Sequence, residues 1–262
     1  MHVIGGYVGG RAHSTTHLVF DTKAGTWSVG PALPVPLDHV GVAAVGDTLY
    51  VVGGYGSAGQ PTDGVYALGP GSATWVALPP MPEARAAAVT VAYDGQIHVI
   101  GGRNLGGDTG SHLVYDVARR TWSTAAPMPT SRDHTAFAVV GDQLHVVGGR
   151  PGALAVHEVY GFASGSWTAA APLPQARSSF AGAALNGRFV VFGGEDSAET
   201  KVFGDAWSFD PADGIWTALP SMPLAVQGIQ SASVGGRVYL PGGGPSPGGA
   251  QQTAALQELS SP

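Results

Sequence analysis

Short apolar runs alternate along this chain with clusters of glycine, proline, aspartate and asparagine. "VGVAAV" (40–45) and "LYVVGG" (49–54) flank the dipeptide Gly46-Asp47. Two runs of this length and composition around such a pair predict a β-hairpin with a tight turn. Asp94-Gly95, Gly141-Asp142, Asn186-Gly187 and Gly235-Gly236 repeat the arrangement. No stretch carries the apolar spacing of an amphipathic helix.

The second run of each hairpin closes on two glycines, at 5–6, 53–54, 101–102, 148–149, 193–194 and 242–243. A glycine pair costs backbone entropy and offers packing no side chain, so its recurrence needs a cause. Trp27, Trp75, Trp122, Trp167 and Trp216 each stand 26 residues before the next pair. Seven residues after each tryptophan comes a proline: Pro34, Pro82, Pro129, Pro174 and Pro223. A fixed interval met five times is an internal repeat. After each glycine pair follow a loop of variable length, a third run ("HLVF", "HLVYD", "HEVY", "AWSFD"), a short turn, and the run that the tryptophan begins. Each unit therefore predicts four short antiparallel strands. One such sheet cannot bury both faces alone, so neighbours stack, and radial stacking of four-stranded repeats gives a β-propeller. A plain β-sandwich leaves the constant interval unexplained.

Glycine pairs after runs such as "LYVV", a tyrosine-rich third strand and a tryptophan some twenty residues on resemble the kelch repeat. The resemblance covers essentially the whole chain. It implies an all-β fold, a six-bladed propeller forming a single domain over 1–262, with the first strand of each blade lining a central channel. The repeats read as approximately 1–38, 39–85, 86–133, 134–177, 178–227 and 228–262. "MHVIGG" opens within a second strand and "TAALQELSSP" reaches a third, so the first and last blades are expected to be incomplete, with five first strands, six second, six third and five fourth. On this reading the natural protein starts further upstream.

Composition narrows the chemistry. The 262 residues contain no cysteine, which excludes disulfides, thiolate metal sites and a cysteine nucleophile. A formal charge of −6 argues against a general nucleic-acid binder. No apolar stretch is long enough for a helical membrane span, and no signal peptide opens the chain as given. The compartment stays open, and a monomer is expected.

In an up-and-down blade the loop after the glycine pair and the link to the next blade share one face. These connections vary most in length, which marks their face as the binding face. Two columns lie there. Tyr7, Tyr55, Arg103, Arg150 and Glu195 follow the glycine pairs, with Gly244 in the sixth repeat. Arg85, Arg132 and Arg177 stand ten residues after tryptophans, where other repeats have Leu37 and Val226, and Asp38-His39 and Asp133-His134 follow in two repeats. Arginine forks hold carboxylate or phosphate in bidentate fashion, so the arginines form a candidate anion site with Tyr7 and Tyr55 as walls. Arg85, Arg132 and Arg177 also suit bonding to carbonyls of a neighbouring blade, and both readings stand for them, whereas Arg103 and Arg150, on loops, are expected to be exposed. The resemblance adds that kelch domains capturing acidic peptides use arginines and tyrosines at these positions.

Two histidine columns, His2/His98/His145 and His17/His112/His157, read as packing positions rather than metal ligands. No HExxH, paired-carboxylate or GxSxG spacing occurs. No cofactor is expected. The expected function is capture of an acidic peptide or protein. The alternative is an enzyme on an anionic carbohydrate, resembling a six-bladed kelch epimerase, in which the arginines hold the carboxylate and Glu195 moves a proton.

Overall fold

A computed structural model describes residues 1–249 and 251–260; residues 250, 261 and 262 of the sixth repeat lie outside them. Among the described residues, six antiparallel sheets of three or four strands are the blades of a six-bladed β-propeller, and two further sheets are two-stranded ribbons. The chain divides into two compact units, Met1–Asp133 with blades 1 to 3 and a second from His134 with blades 4 to 6.

In the first unit, blade 1 has three strands, His2–Ile4, His17–Asp21 and Thr26–Val29. Blade 2 has four, Gly41–Val45, Thr48–Val52, Val65–Leu68 and Val76–Ala77. Blade 3 has Val89–Tyr93, Gln96–Ile100, His112–Asp116 and Thr121–Ala125. In the second unit, blade 4 comprises Ala136–Val140, Gln143–Val147, His157–Gly161 and Ser166–Ala169. Blade 5 comprises Ala181–Leu185, Arg188–Phe192, Ala206–Asp210 and Ile215–Leu219. Blade 6 has Ala232–Val234, Arg237–Pro241 and Leu256–Ser260. Blades 1 and 6 are the short ones, and the strand types occur among the described residues in the numbers the repeat predicts.

The predicted hairpin turns are present, with left-handed backbone at Gly46, Asp94, Gly95, Gly141, Asn186, Gly187, Gly235 and Gly236. Within strands the pleat sends alternate residues to opposite faces. In blade 2, Val51 joins Ile4, Leu33 and Leu37 of the first repeat in one core cluster, while Tyr50 and Val52 join Ile97, Val99 and Leu113 of blade 3 in another. In blade 5, Phe189 and Val191 face blade 4, and Val190 and Phe192 face blade 6. Every core cluster is thus built from consecutive sheets, so no blade carries its core alone.

The glycine pairs meet the same need for close stacking. Both members of each pair have left-handed backbone. At Gly53 a Cβ would lie 2.1 Å from the carbonyl oxygen of Arg85, in the link that follows the blade, and at Gly54 one would lie 2.6 Å from that of Asp38. The closeness serves a hydrogen bond: the Gly54 N–H donates to the Arg85 carbonyl at 2.8 Å. The same bond recurs from Gly6 to Leu37, Gly102 to Arg132, Gly149 to Arg177 and Gly194 to Val226.

The tryptophans make a second interblade tie. Trp75 Nε1 donates to the Pro31 carbonyl at 2.8 Å, Trp122 to Pro79 at 3.2 Å and Trp216 to Ala171 at 2.9 Å. The acceptor is each time the carbonyl four residues after the preceding tryptophan. The two histidine columns pair with one another across the second and third strands: His2 with His17 at 2.8 Å, His98 with His112 at 2.8 Å and His145 with His157 at 3.0 Å. Nδ1 of His17, His112 and His157 then donates to the carbonyls of Pro31, Ala126 and Ala171. Pro31 and Ala171 thus each accept from both a histidine and the next blade's tryptophan.

Candidate functional site

The two columns of variable connections are joined by main-chain pairing. Asp38 pairs with Tyr55, Ala86 with Arg103, Ser178 with Glu195 and Gln227 with Gly244 as isolated antiparallel bridges. Both N–H···O bonds of the Ala86–Arg103 bridge are formed, at 2.9 and 2.8 Å. One residue further along each link the backbone turns left-handed, at His39, Ala87, His134, Ser179 and Gly228. These residues are chained within each unit: Ala87 N–H donates to His39, Ser179 to His134 and Gly228 to Ser179. Nothing in a sequence of His, Ala and Ser marks this conformation, which is uncommon outside glycine. His39, Ala87, Ser179 and Gly228 each directly follow a bridged residue.

The columns separate by depth. Arg85, Arg132 and Arg177 are fully buried. Arg85 donates to the Gly101 carbonyl at 3.1 Å, to Ser111 Oγ at 2.6 Å and to Glu83 Oε2 at 2.5 Å. Burial lowers its pKa, and Glu83 pushes it back up. Arg177 repeats the pattern one unit on, donating to the Gly193 carbonyl at 2.9 Å and to both carboxylate oxygens of Asp205 at 3.1 and 2.7 Å. Phe203 lies 4.5 Å from the Arg177 guanidinium, ring centroid to carbon. Arg132 donates to the Thr130 carbonyl at 3.2 Å. Ser111 and Asp205 both directly precede a third strand, so Arg85 and Arg177 each grip the next blade at equivalent points.

Arg103 and Arg150 lie nearer the surface, 51% and 32% exposed. Arg103 stands on a two-stranded hairpin, Arg103–Asn104 against Gly107–Asp108, with its guanidinium 3.2 Å from Asp108. A similar ribbon, Tyr7–Val8 against Ala12–His13, follows the glycine pair of blade 1. Both stretches read as plain loop in the sequence.

Around Tyr55 the first unit gathers a polar cluster. The buried Asp38 carboxylate is paired with Nδ1 of both His13 and His39. His39 sits edge-on to Tyr7 and Tyr55, with ring centroids 5.5 and 5.4 Å apart. The Tyr55 hydroxyl is pushed up to about 12, first by burial and then by the charge of Asp133, with Arg103 opposing. Asp108 is also raised, by burial first and by Asp133 next. Tyr7, Tyr55 and Arg103 therefore share one neighbourhood with Asp38, His39, Asp108 and Asp133.

In the second unit Arg150 meets Glu195 at 2.6 Å and Glu199 at 3.1 Å. Glu195 is buried. Its Oε1 also accepts from Ser179 Oγ at 3.0 Å, and its Oε2 from the Gly248 N–H at 2.9 Å. The carboxylate thus fastens the loop of the sixth repeat.

Glu83 escaped the sequence reading. It accepts from Arg85, from Ser111 Oγ at 3.1 Å and from Asn104 Nδ2, so it joins the buried arginine to the Arg103 hairpin. Its one signal was position: eight residues after tryptophan, where the other repeats have Val35, Thr130, Gln175 and Leu224. Among the described residues no group of three or more His, Cys, Asp or Glu is arranged to hold a metal ion. No helix among them is long and apolar enough to cross a membrane.

Repeat, blade and interblade ties all point to one class of scaffold, and comparison with known proteins agrees. Residues 1–168 match the family model described as KLHDC2/KLHL20/DRC7 Kelch-repeats domain, and residues 176–223 match the Kelch motif. The chain belongs to the kelch-repeat family. It is 36% identical over 86 residues, 33% of its length, to Kelch repeat protein M-T8 of Myxoma virus (strain Lausanne). It is 32% identical over 110 residues, 38% of its length, to Kelch-like protein terF of Aspergillus terreus, and 30% identical over 84 residues, 32% of its length, to a Kelch domain-containing protein of Sulfurisphaera tokodaii. These alignments span 17%, 24% and 12% of the relatives' own lengths.

Proposed function

We propose that the chain is a binding module whose loop rim in the first unit captures an acidic segment of a partner protein. Arg103 receives the acid, and Tyr7 and Tyr55 line the approach. The observation that carries this reading is the state of Arg103. It is half exposed, and its ion pair, to Asp108 on the same hairpin, is a 3.2 Å contact at the surface. An exposed ion pair contributes at most about 1 kcal/mol, so exchanging Asp108 for a partner's carboxylate costs little. Arg85, Arg132 and Arg177 serve this reading as supports beneath the rim, because their guanidinium groups are buried. Arg150 is the counterpart in the second unit, already engaged by Glu195 and Glu199. A single domain over residues 1–262 is part of the proposal.

The enzyme alternative asks Glu195 to move a proton on a sugar acid. Its oxygens face inward onto Arg150, Ser179 and Gly248, which favours an anchoring role and hence the binding reading. The test is fluorescence anisotropy with a labelled glutamate-rich peptide and a lysine-rich control. Arg103→Gln is expected to weaken the acidic peptide at least tenfold. Arg188→Gln, at a hairpin turn and paired with Asp210, is expected to leave it unchanged. No binding of the acidic peptide, or equal loss in both variants, overturns the proposal. A thermal shift with sugar acids that Arg103→Gln abolishes would favour the enzyme instead.

A further inference from the structure

The hairpin that carries Arg103 is built more firmly than a loop needs to be. Its two-residue turn places Leu105 at the tip, 73% exposed. A lone exposed leucine is ordinary on a protein surface. Here, however, the turn beneath it is held from several sides. Gly106 N–H donates to Asn104 Oδ1 at 2.8 Å, and Asn104 Nδ2 donates to Glu83. Glu83 is fixed in turn by Ser111 and by buried Arg85, which is tied to the Gly101 carbonyl. Blades 4 and 5 do without such a ribbon among the described residues, so it is not required for a blade to form. Blade 1 has a related ribbon of the other arrangement, with the exposed Val8 in its strand and the exposed Arg11 in its turn.

We infer that the Arg103–Asp108 hairpin is a preformed recognition finger, with Leu105 as an apolar anchor beside the Arg103 charge. The partner segment it fits places a bulky apolar residue next to an acidic one. This rests on the binding reading and deepens it. A turn already ordered before contact loses little entropy on binding, so burial of the leucine appears as affinity.

The test uses the full chain and two labelled glutamate-rich peptides that differ only in a central leucine or serine. The leucine peptide is expected to bind at least fivefold more tightly. In Leu105→Ser that advantage falls below twofold, while affinity for the serine peptide is unchanged. Asn104→Ala is expected to raise hydrogen exchange at the Gly106 amide and to shrink the leucine advantage. Equal affinity of the wild-type chain for the two peptides, or an advantage that survives Leu105→Ser, overturns the finger and leaves acidic capture standing. Failure of both peptides to bind overturns acidic capture and the finger with it.

Discussion

Gly53 and Gly46 have similar left-handed backbone, with φ of 63° and 56°, yet they are not equivalent positions. A methyl group at Gly46 meets nothing within 4 Å, whereas at Gly53 it meets the main-chain oxygen of Arg85 at 2.1 Å. Gly46→Ala carries only the left-handed penalty, about 1 kcal/mol. Gly53→Ala adds an overlap that backbone cannot evade without parting consecutive blades, on the order of 3 kcal/mol or more in total. Urea unfolding of the two variants checks the contrast, and equal midpoints would refute it. The arginines likewise divide by depth. Charge suggests surface, and Arg103 obeys that rule. Arg85 and Arg177 break it because the glycine pairs leave carbonyls at the blade junction, and a guanidinium satisfies such a group while also reaching Ser111 or Asp205.

Individual strands were legible because three constraints coincide on each: the turn dipeptide, the alternating apolar positions and the closing glycines. The fourth strands were found by their tryptophans, but not what the indole does there. Its acceptor lies in the preceding repeat, 43 to 45 residues away. No local pattern names a partner at that distance. Trp216→Phe keeps a ring against Phe209 and His157 and removes only the bond to Ala171. It is expected to cost about 1 kcal/mol, read as a lowered urea midpoint. The Arg103 hairpin went unseen for a related reason. "RNLGGD" has no apolar alternation, and its order comes from Asn104 and Glu83 rather than from strand propensity.

Over the whole molecule the histidine pairs impose a pH limit, since they occur in both units. Burial lowers His98, His112 and His145 to about 4, with the neighbouring His98 adding to the effect on His112. His2 and His17 are lowered too. The unfolded chain takes up protons at His98, His112 and His145 near pH 6.5, and the folded chain refuses them until near pH 4. Their stabilisation is therefore complete above pH 6.5 and lost as pH falls from 6.5 to 4. Each histidine held near 4 is expected to forfeit on the order of 2 kcal/mol at pH 5. Blade 2 supplies a control, because Tyr50 and Val65 occupy the positions of His98 and His112. The double variant His98→Tyr, His112→Val is expected to flatten part of the fall in melting temperature between pH 7 and 5. An unchanged slope would show that these histidines do not set it.

The bridges that join each link to the following glycine loop are made by peptide groups alone, at Asp38–Tyr55, Ala86–Arg103, Ser178–Glu195 and Gln227–Gly244. Tyrosine, arginine, glutamate and glycine all occupy the same kind of seat without altering it. The seats are thus interchangeable: the residue in one can be replaced while the frame that presents it needs no redesign.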